Sequence, residues 1–282
     1  MNALPASTPA SCLRPVPTGF GWRLRHARTA VLLVFAGHQA ATAAQTTPEW
    51  FAHTRENAWL NAYDPTLIGR RLLSEFSYEN DAGDAEFWKL ETSLRWAIPI
   101  HKDLAFGMQA LIPVKWNDTA TASESGIGDL ELRTGLVGRI SPTLRYGIGL
   151  NAEFDTAADS SLGDNALALR PITAIRWDVA RHVNIGLNLE YTFTPRDEGA
   201  DDISEFELKF PLVVKLNDDW SAAATYKPKW NLLTESDRHR FELGATRVWG
   251  ADHEYALSFG TEVPLSSDTM DFKLISGFTW YF

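Results

Sequence analysis

Thiols are almost absent from this 282-residue chain: its single cysteine is Cys12. No disulfide can form within it, so an exported form must be stabilised another way, and a closed barrel is one such way. A basic excess is absent too. Lysine and arginine total 26 against 36 aspartates and glutamates, a formal charge of −10. That balance excludes nucleic acid as a partner, which demands a basic footprint. Long apolar runs are also missing. Thr29–Gly37 (TAVLLVFAG) falls far short of the ~20 apolar residues a membrane-spanning helix needs. Their absence does not exclude a membrane protein, because barrel strands hide apolar residues in alternation.

The beginning of the chain reads as a secretory signal peptide over 1–44. Arg14, Arg23, Arg25 and Arg28 form the basic region, Thr29–Gly37 the apolar run, and Ala41-Thr42-Ala43 the small residues for cleavage after Ala43 or Ala44. Cys12 lies in the removed part, with no leucine-rich small-residue box before it, so a lipoprotein is not expected. Losing those four arginines, in a segment without acidic residues, takes the formal charge from −10 to −14. Residues 45–66, through Trp50, Phe51, Trp59 and Tyr63, show no clear period. They suit a short periplasmic helix, a plug or a floppy lead-in.

From 67 to 282 the pattern is alternation. In the last segment Met270, Phe272, Leu274, Ser276, Phe278, Trp280 and Phe282 take every second position, and alternate side chains of a strand point to opposite faces. A strand that is oily on one face and ends on an aromatic residue suits the closing strand of an outer-membrane barrel. The terminal pattern also resembles the signal read by the barrel-assembly machinery, which makes that machinery and outer-membrane lipid the expected partners. The same alternation predicts strands over 68–79, 87–100, 104–117, 128–140, 144–155, 167–179, 183–194, 204–216, 220–233, 239–249, 254–263 and 269–282, twelve in all. Short connections such as His101–Asp103, Ser141–Thr143 and Ala180–His182 alternate with longer polar ones at Asp118–Ile127, Thr156–Ala166 and Pro195–Ile203. Bacterial barrels have even strand counts, short periplasmic turns and longer outer loops. The predicted fold is therefore all-β: a transmembrane, antiparallel, up-and-down barrel of twelve strands in the outer membrane of a double-membraned bacterium.

Tryptophans sort to the strand ends. Trp96, Trp177, Trp220, Trp249 and Trp280 fall near the periplasmic rim, and Trp88, Trp116 and Trp230 near the outer rim, all on the lipid-facing side. Two girdles around an aliphatic band are the interfacial pattern of such barrels; a soluble sandwich would bury these rings instead. Some residues strain the scheme. Pro99, Pro113, Pro171, Pro211 and Pro228 fall inside strands, where bulges are expected. Arg247 falls on the lipid side, and a bulge near Ala245–Arg247 would restore the phase.

The inward positions carry the charges: Lys89, Glu91, Arg95, Lys115, Asp129, Glu131, Arg133, Glu153, Asp155, Arg170, Lys209, Lys227 and Lys229. Folding the strands about their short turns sets Glu131 near Glu153, Asp129 near Asp155, Lys209 near Lys227 and Glu207 near Lys229. An acidic wall facing a mainly basic one gives a transverse field across a narrow wet pore, able to orient polar solutes. The competing reading is a packed lumen in which these charges pair with one another. Barrels of eight strands are filled and those of sixteen or more leave a channel; twelve lies between. Four clustered acids could also hold calcium, but lysines and arginines close by dilute the oxygen set that ion requires, so no metal and no cofactor is expected. Catalysis is not expected either. His53, His101, His182, His239 and His253 show no serine partner beyond Ser236, three residues from His239 in a loop, and nucleophilic hydrolysis needs serine, histidine and an orienting group within reach.

One motif is specific. Ser125-Gly126-Ile127-Gly128-Asp129-Leu130-Glu131-Leu132 resembles the Gly-x-Gly-Asp-Leu signature, here Gly126, Gly128 and Asp129, that opens a strand in a family of exported barrels named for the meta-cleavage pathway of phenol degradation. The resemblance covers about Leu67 to Phe282. It implies an outer-membrane barrel described as a transporter or porin-like protein near aromatic catabolism. Taken physically, the glycines let a loop turn into the strand, and Asp129 points into the lumen. The combined expectation is a channel for passive passage of small solutes, aromatic or other small organic compounds among them. The alternative is a closed structural or adhesive barrel whose outer loops bind a partner.

Overall fold

In the computed structural model, residues 58, 60, 66, 69–81, 85–119, 122–195, 202–266 and 270–282 are described. The signal peptide expected over 1–44 lies outside them, as does most of 45–66, including His53. The strands are β1 (Arg71–Asp81), β2 (Ala85–His101), β3 (Leu104–Asp118), β4 (Ser123–Ile127), β5 (Leu130–Ser141), β6 (Leu144–Phe154), β7 (Ala168–Ala180), β8 (Val183–Phe193), β9 (Ser204–Lys215), β10 (Trp220–Asn231), β11 (Ser236–Trp249), β12 (Tyr255–Pro264) and β13 (Met270–Tyr281). Each pairs antiparallel with its sequence neighbour, except that β5 pairs with β3 rather than with β4, and β1 pairs with both β2 and β13, which closes the sheet on itself. Among the described residues no helix is long and apolar enough to cross a membrane.

Thirteen strands make a twelve-stranded barrel because β4 and β5 are one strand interrupted. The far half of β3 pairs with β4, Val114 opposite Ile127, and its near half with β5, Leu111 opposite Glu131. Ile127 and Leu130 are both exposed while Gly128 and Asp129 between them are buried. Two consecutive residues on one face define a bulge. Pro113 sits where β3 changes partner, and its carbonyl accepts a hydrogen bond from Gly128 N–H at 3.0 Å.

Side chains on alternate positions separate two environments. Leu94, Ile98, Ile112, Leu243, Phe259 and Leu274 stand exposed on the outer surface, whereas Ser93, Thr246, Ser258 and Thr279 are buried inside. Apolar surface costs about 25 cal/mol per Å2 in water, and soluble monomers rarely expose continuous patches above a few hundred Å2. An apolar band running around the whole circuit suits lipid, the solvent that removes that cost.

Several local expectations change. Asp118–Ile127 is a tight hairpin, not a long loop: Thr119 N–H donates to the Ala122 carbonyl at 2.9 Å and β4 follows directly. β11 begins at Ser236, three residues before the expected start. No bulge occurs near Ala245–Arg247, since β10 and β11 stay in register from Trp220↔Arg247 to Asn231↔Ser236. Arg247 therefore stays outward, its guanidinium 5.8 Å from the centre of the Trp220 ring, so an aromatic face and the nearby rim accommodate the charge. Of the five strand prolines, Pro99 adjoins a register shift and Pro113 lies opposite the Gly128–Asp129 bulge. At Pro171, Pro211 and Pro228 one ladder skips rungs and resumes unshifted, so losing the donor does not move the strand. Met270, expected on the lipid face, is buried beyond a register shift between β1 and β13.

The two ends differ. At the short-turn end the inner wall carries an apolar patch, with Ala97, Ala105 and Val137 in contact, beside two charged pairs, Arg139–Asp103 at 3.2 Å and Arg145–Asp178 at 3.3 Å, and the buried Arg176. Two residues of the N-terminal segment pack there. Ala58 meets Val248, Ala256 and Tyr281, and Leu60 meets Val213 and Ala223. The long-loop end carries the connections 155–167 and 194–203.

Candidate functional site

Toward the long-loop end the lumen wall is a mesh of ion pairs. On β2, Lys89 Nζ lies 2.6 Å from Glu91, and Arg95 donates from Nε and Nη2 to Gln109 Oε1 at 3.2 and 2.8 Å. Across β5 and β6, Glu131 opposes Glu153 directly. Each acid has its own cation: Arg133 is 3.0 Å from Glu131 and Arg170 is 3.5 Å from Glu153. Asn151 Nδ2 adds a 2.6 Å hydrogen bond to Glu131. On the opposite side Lys209 lies 2.8 Å from Glu190 and 3.2 Å from Glu207, Lys229 lies 2.6 Å from Glu205, and Lys227 is held between Glu242 and Glu262. Arg238 and Arg240 join through Glu205 and Glu262, each at 3.2 Å.

These pairs replace the expected transverse field. An acidic wall facing a basic wall requires segregated charge, but Lys209, Lys227 and Lys229 each have at least one glutamate beside them. Burying an unpaired charge is costly and a buried pair breaks even only with its partner in place, so the wall neutralises itself locally. The sequence reading missed Glu190, Glu205, Arg238, Arg240, Glu242 and Glu262. The signal was present in the two-residue alternation of β8, β9, β11 and β12, which puts each of them on the inward face.

Asp129 does something other than line a pore. Its Oδ1 accepts from Thr156 N–H and Ala157 N–H, both at 2.9 Å, and its Oδ2 from Asp164 N–H at 2.7 Å. One buried carboxylate thus gathers both ends of the connection between β6 and β7. That connection includes a 3-10 turn at Ser160–Leu162, capped by exposed Asp159, which accepts from Ser161 N–H. This hydrogen bond holds the Asp159 carboxyl below the ordinary carboxylate range.

The two motif glycines face this loop. A side chain on Gly126 would begin 3.0 Å from Leu162 Cδ1, and one on Gly128 would begin 3.0 Å from the Leu162 carbonyl and 2.9 Å from Lys115 Cε. Leu162 is buried at 1% exposure. Asn117 Nδ2 donates to the Ser161 carbonyl at 2.6 Å, and Ala158 N–H to the Ile127 carbonyl at 2.9 Å. Gly126, Gly128, Lys115 and Asn117 lie on the inward face of β3 and β4, so the loop folds into the lumen at its long-loop end. Glycine is needed at Gly128 because two backbones touch, and at Gly126 because the Leu162 and Ala158 side chains pack against it, rather than for a turn. Asp155, expected beside Asp129 on the wall, lies one residue past β6 and is exposed. With Asp129 engaged by the loop and the two glutamates by arginines, the four acids do not converge. Among the described residues no cluster is arranged to hold a metal.

The tryptophans of the strands stand on the outer surface in two groups. Trp88 pairs directly with Trp116 and lies tilted at 45° against Tyr78, with ring centres 4.3 Å apart, and Trp230 pairs with Phe206. At the short-turn end Trp249 faces Tyr255 at 5.8 Å and Trp280 faces Phe282 at 5.0 Å, with Trp96 6.2 Å from Phe282. Trp177 and Trp220 are exposed near the same end. His239 is also outward, its Nδ1 2.7 Å from the Tyr226 hydroxyl and its Nε2 2.8 Å from Asp237. Ser236, the one serine the sequence placed near it, instead pairs its hydroxyl with Thr234 at 2.8 Å. His101 and His182 are exposed at the short turns, with His253 half-buried there.

Comparison with known proteins agrees with this geometry. A family model described as "Putative MetA-pathway of phenol degradation" matches residues 77–273. No curated protein matches the chain in sequence. Among solved structures, the COG4313 outer membrane channel from Pseudomonas putida F1 superposes with a TM-score of 0.67 at 14% identity, covering 79% of this chain and 98% of that one. The NanC porin gives 0.54 at 10% identity, covering 75% and 100%. The CymD monoaromatic hydrocarbon channel gives 0.52 at 8% identity, covering 80% and 93%. At these identities the likeness is one of fold, that of outer-membrane barrels.

Proposed function

The chain belongs to the family described as "Putative MetA-pathway of phenol degradation", and we propose that it is an outer-membrane channel for passive passage of small organic solutes. The observation that carries this is the inversion of the barrel, apolar outside and ion-paired inside. A polar interior of charged side chains suits a water path. Short turns face the periplasm in bacterial barrels. In that orientation β13 ends at the periplasm and the loop held by Asp129 narrows the outer mouth.

Ala58 and Leu60 pack inside the opposite end, which supports the plug among the roles considered for residues 45–66. Export by a signal peptide over 1–44, cleaved after Ala43 or Ala44, belongs to the same reading, as does recognition of Phe282 by the barrel-assembly machinery. Neighbours named as channels, one for monoaromatic hydrocarbons, favour small organic compounds as the solutes and disfavour a purely adhesive barrel. Both ring nitrogens of His239 are engaged by Tyr226 and Asp237, and no catalytic role is assigned to it.

Liposome swelling with solutes of graded size, simple aromatics among them, tests the proposal. Influx falling with solute size is expected. Liposomes that do not swell, with either the full mature chain or a chain beginning at Leu67, would overturn it.

A further inference from the structure

The mesh of pairs is uneven on one side. A cavity of about 170 Å3 lies among β9, β10, β11 and β12, lined by Lys209, Lys227, Lys229, Arg238, Arg240, Glu207 and Glu262. Five cations and two carboxylates face this space. The glutamates that complete the neutralisation, Glu190, Glu205 and Glu242, pair with Lys209, Lys229 and Lys227 without lining it. The shell is therefore neutral as a whole but presents its ammonium and guanidinium groups inward. A neutral shell exerts little pull at a distance, so this arrangement selects by contact.

We propose that this cavity is a binding station for a small monocarboxylate of up to single-ring size. The inference deepens the channel reading and rests on it, because it names the chemical class of solute that pauses in the lumen. Size follows from the volume: an apolar cavity of roughly 150 Å3 takes one benzene molecule. Charge follows from the lining. Lysine and arginine only donate, and a guanidinium offers five N–H donors in a fork that matches a carboxylate. Glu205 engages Arg238 through Nη2, which leaves the rest of that fork for a second acceptor. Glu207 and Glu262 oppose a second negative charge, so a monoanion fits better than a dianion. They also keep the site from holding its ligand too tightly, and a conducting pore needs sites that release.

Isothermal titration of the refolded full mature chain with benzoate, benzyl alcohol and benzylamine tests this. Benzoate is expected to bind one per barrel, at least about tenfold more tightly than either analogue, a 1.4 kcal/mol difference. The exchange Lys229→Glu with Glu205→Lys keeps the pair and the total charge but moves a cation out of the lining. It should weaken benzoate about tenfold while the heat-shifted gel mobility of the folded barrel is retained. Arg240→Gln, which leaves Glu262 its Lys227 partner, should do the same and covers the case where the exchange does not fold. Equal affinity for benzoate and benzyl alcohol, or benzoate affinity unchanged in a folded variant, would overturn the station. Solute influx without selective benzoate binding would do so too, while leaving the channel standing. Benzoate binding without any influx would uphold the station and remove the channel.

Discussion

Replacing Asp129 by asparagine should release the loop 155–167 without unfolding the barrel. The native carboxylate accepts three backbone N–H groups, at 2.9, 2.9 and 2.7 Å. Hydrogen bonds to a charged acceptor contribute about 1.5–3 kcal/mol each, against about 1 for neutral ones. If the amide oxygen takes the place of Oδ1, the bonds from Thr156 and Ala157 persist but weaken by about 1 kcal/mol each. The amide nitrogen then faces Asp164 N–H, and that third bond is lost for about 2 kcal/mol more. The total, about 4 kcal/mol, is an upper figure because the three bonds share one acceptor group. Even half of it raises local opening more than tenfold, since 1.4 kcal/mol is a decade. Amide hydrogen exchange at Thr156, Ala157 and Asp164 reads this directly, with strand amides of β5 and β6 as internal controls. Unchanged protection at the loop amides would refute the reasoning and assign the anchor to Leu162 and the Asn117–Ser161 bond.

Other consequences follow from the same geometry. Leu60 is fully buried against Val213 and Ala223, so Leu60→Asp should free that packing and raise single-channel conductance; conductance equal to that of the unaltered chain would remove the plug. Leu94, half exposed on the outer face, should tolerate arginine poorly, at a cost of about 2–4 kcal/mol near the bilayer midplane. Glu91→Gln, on the inner face of the same strand, should cost less, because its partner Lys89 is 35% exposed and a pair so exposed contributes about 0–1 kcal/mol; unfolding in vesicles compares the two. The Phe282 ring packs against Trp280 and Trp96. Phe282→Ala should lower insertion in cells while leaving refolding in detergent nearly intact, as surface-exposed protein and refolding yield would report.

How much of this was legible in the sequence differs by element. Strand number, closure and outward girdles could be read because lipid imposes one rule on every outer position, and Trp88, Trp116 and Trp249 obey it with no knowledge of their neighbours. The interruption at Gly128-Asp129 was half legible: the motif stood out, but its reason lies in the connection more than 25 residues later that those glycines and Asp129 receive. Local alternation carries no trace of such a contact. The lumen charges were the least legible. Lys227 could be placed inward from its own strand, but its partners Glu242 and Glu262 come from β11 and β12, and alternation within one strand does not say which residues of other strands meet it. The expected bulge at Arg247 was a separate error. It arose from assuming that an arginine cannot face outward, whereas Trp220 and the rim accommodate it.

Planar-bilayer recording tests the whole account most directly. The full mature chain should give discrete conductance steps, and a chain beginning at Leu67 larger ones, because Ala58 and Leu60 no longer narrow the periplasmic end. An electrically silent bilayer with both folded chains would contradict the claim that the ion-paired lumen is a path for water and solute.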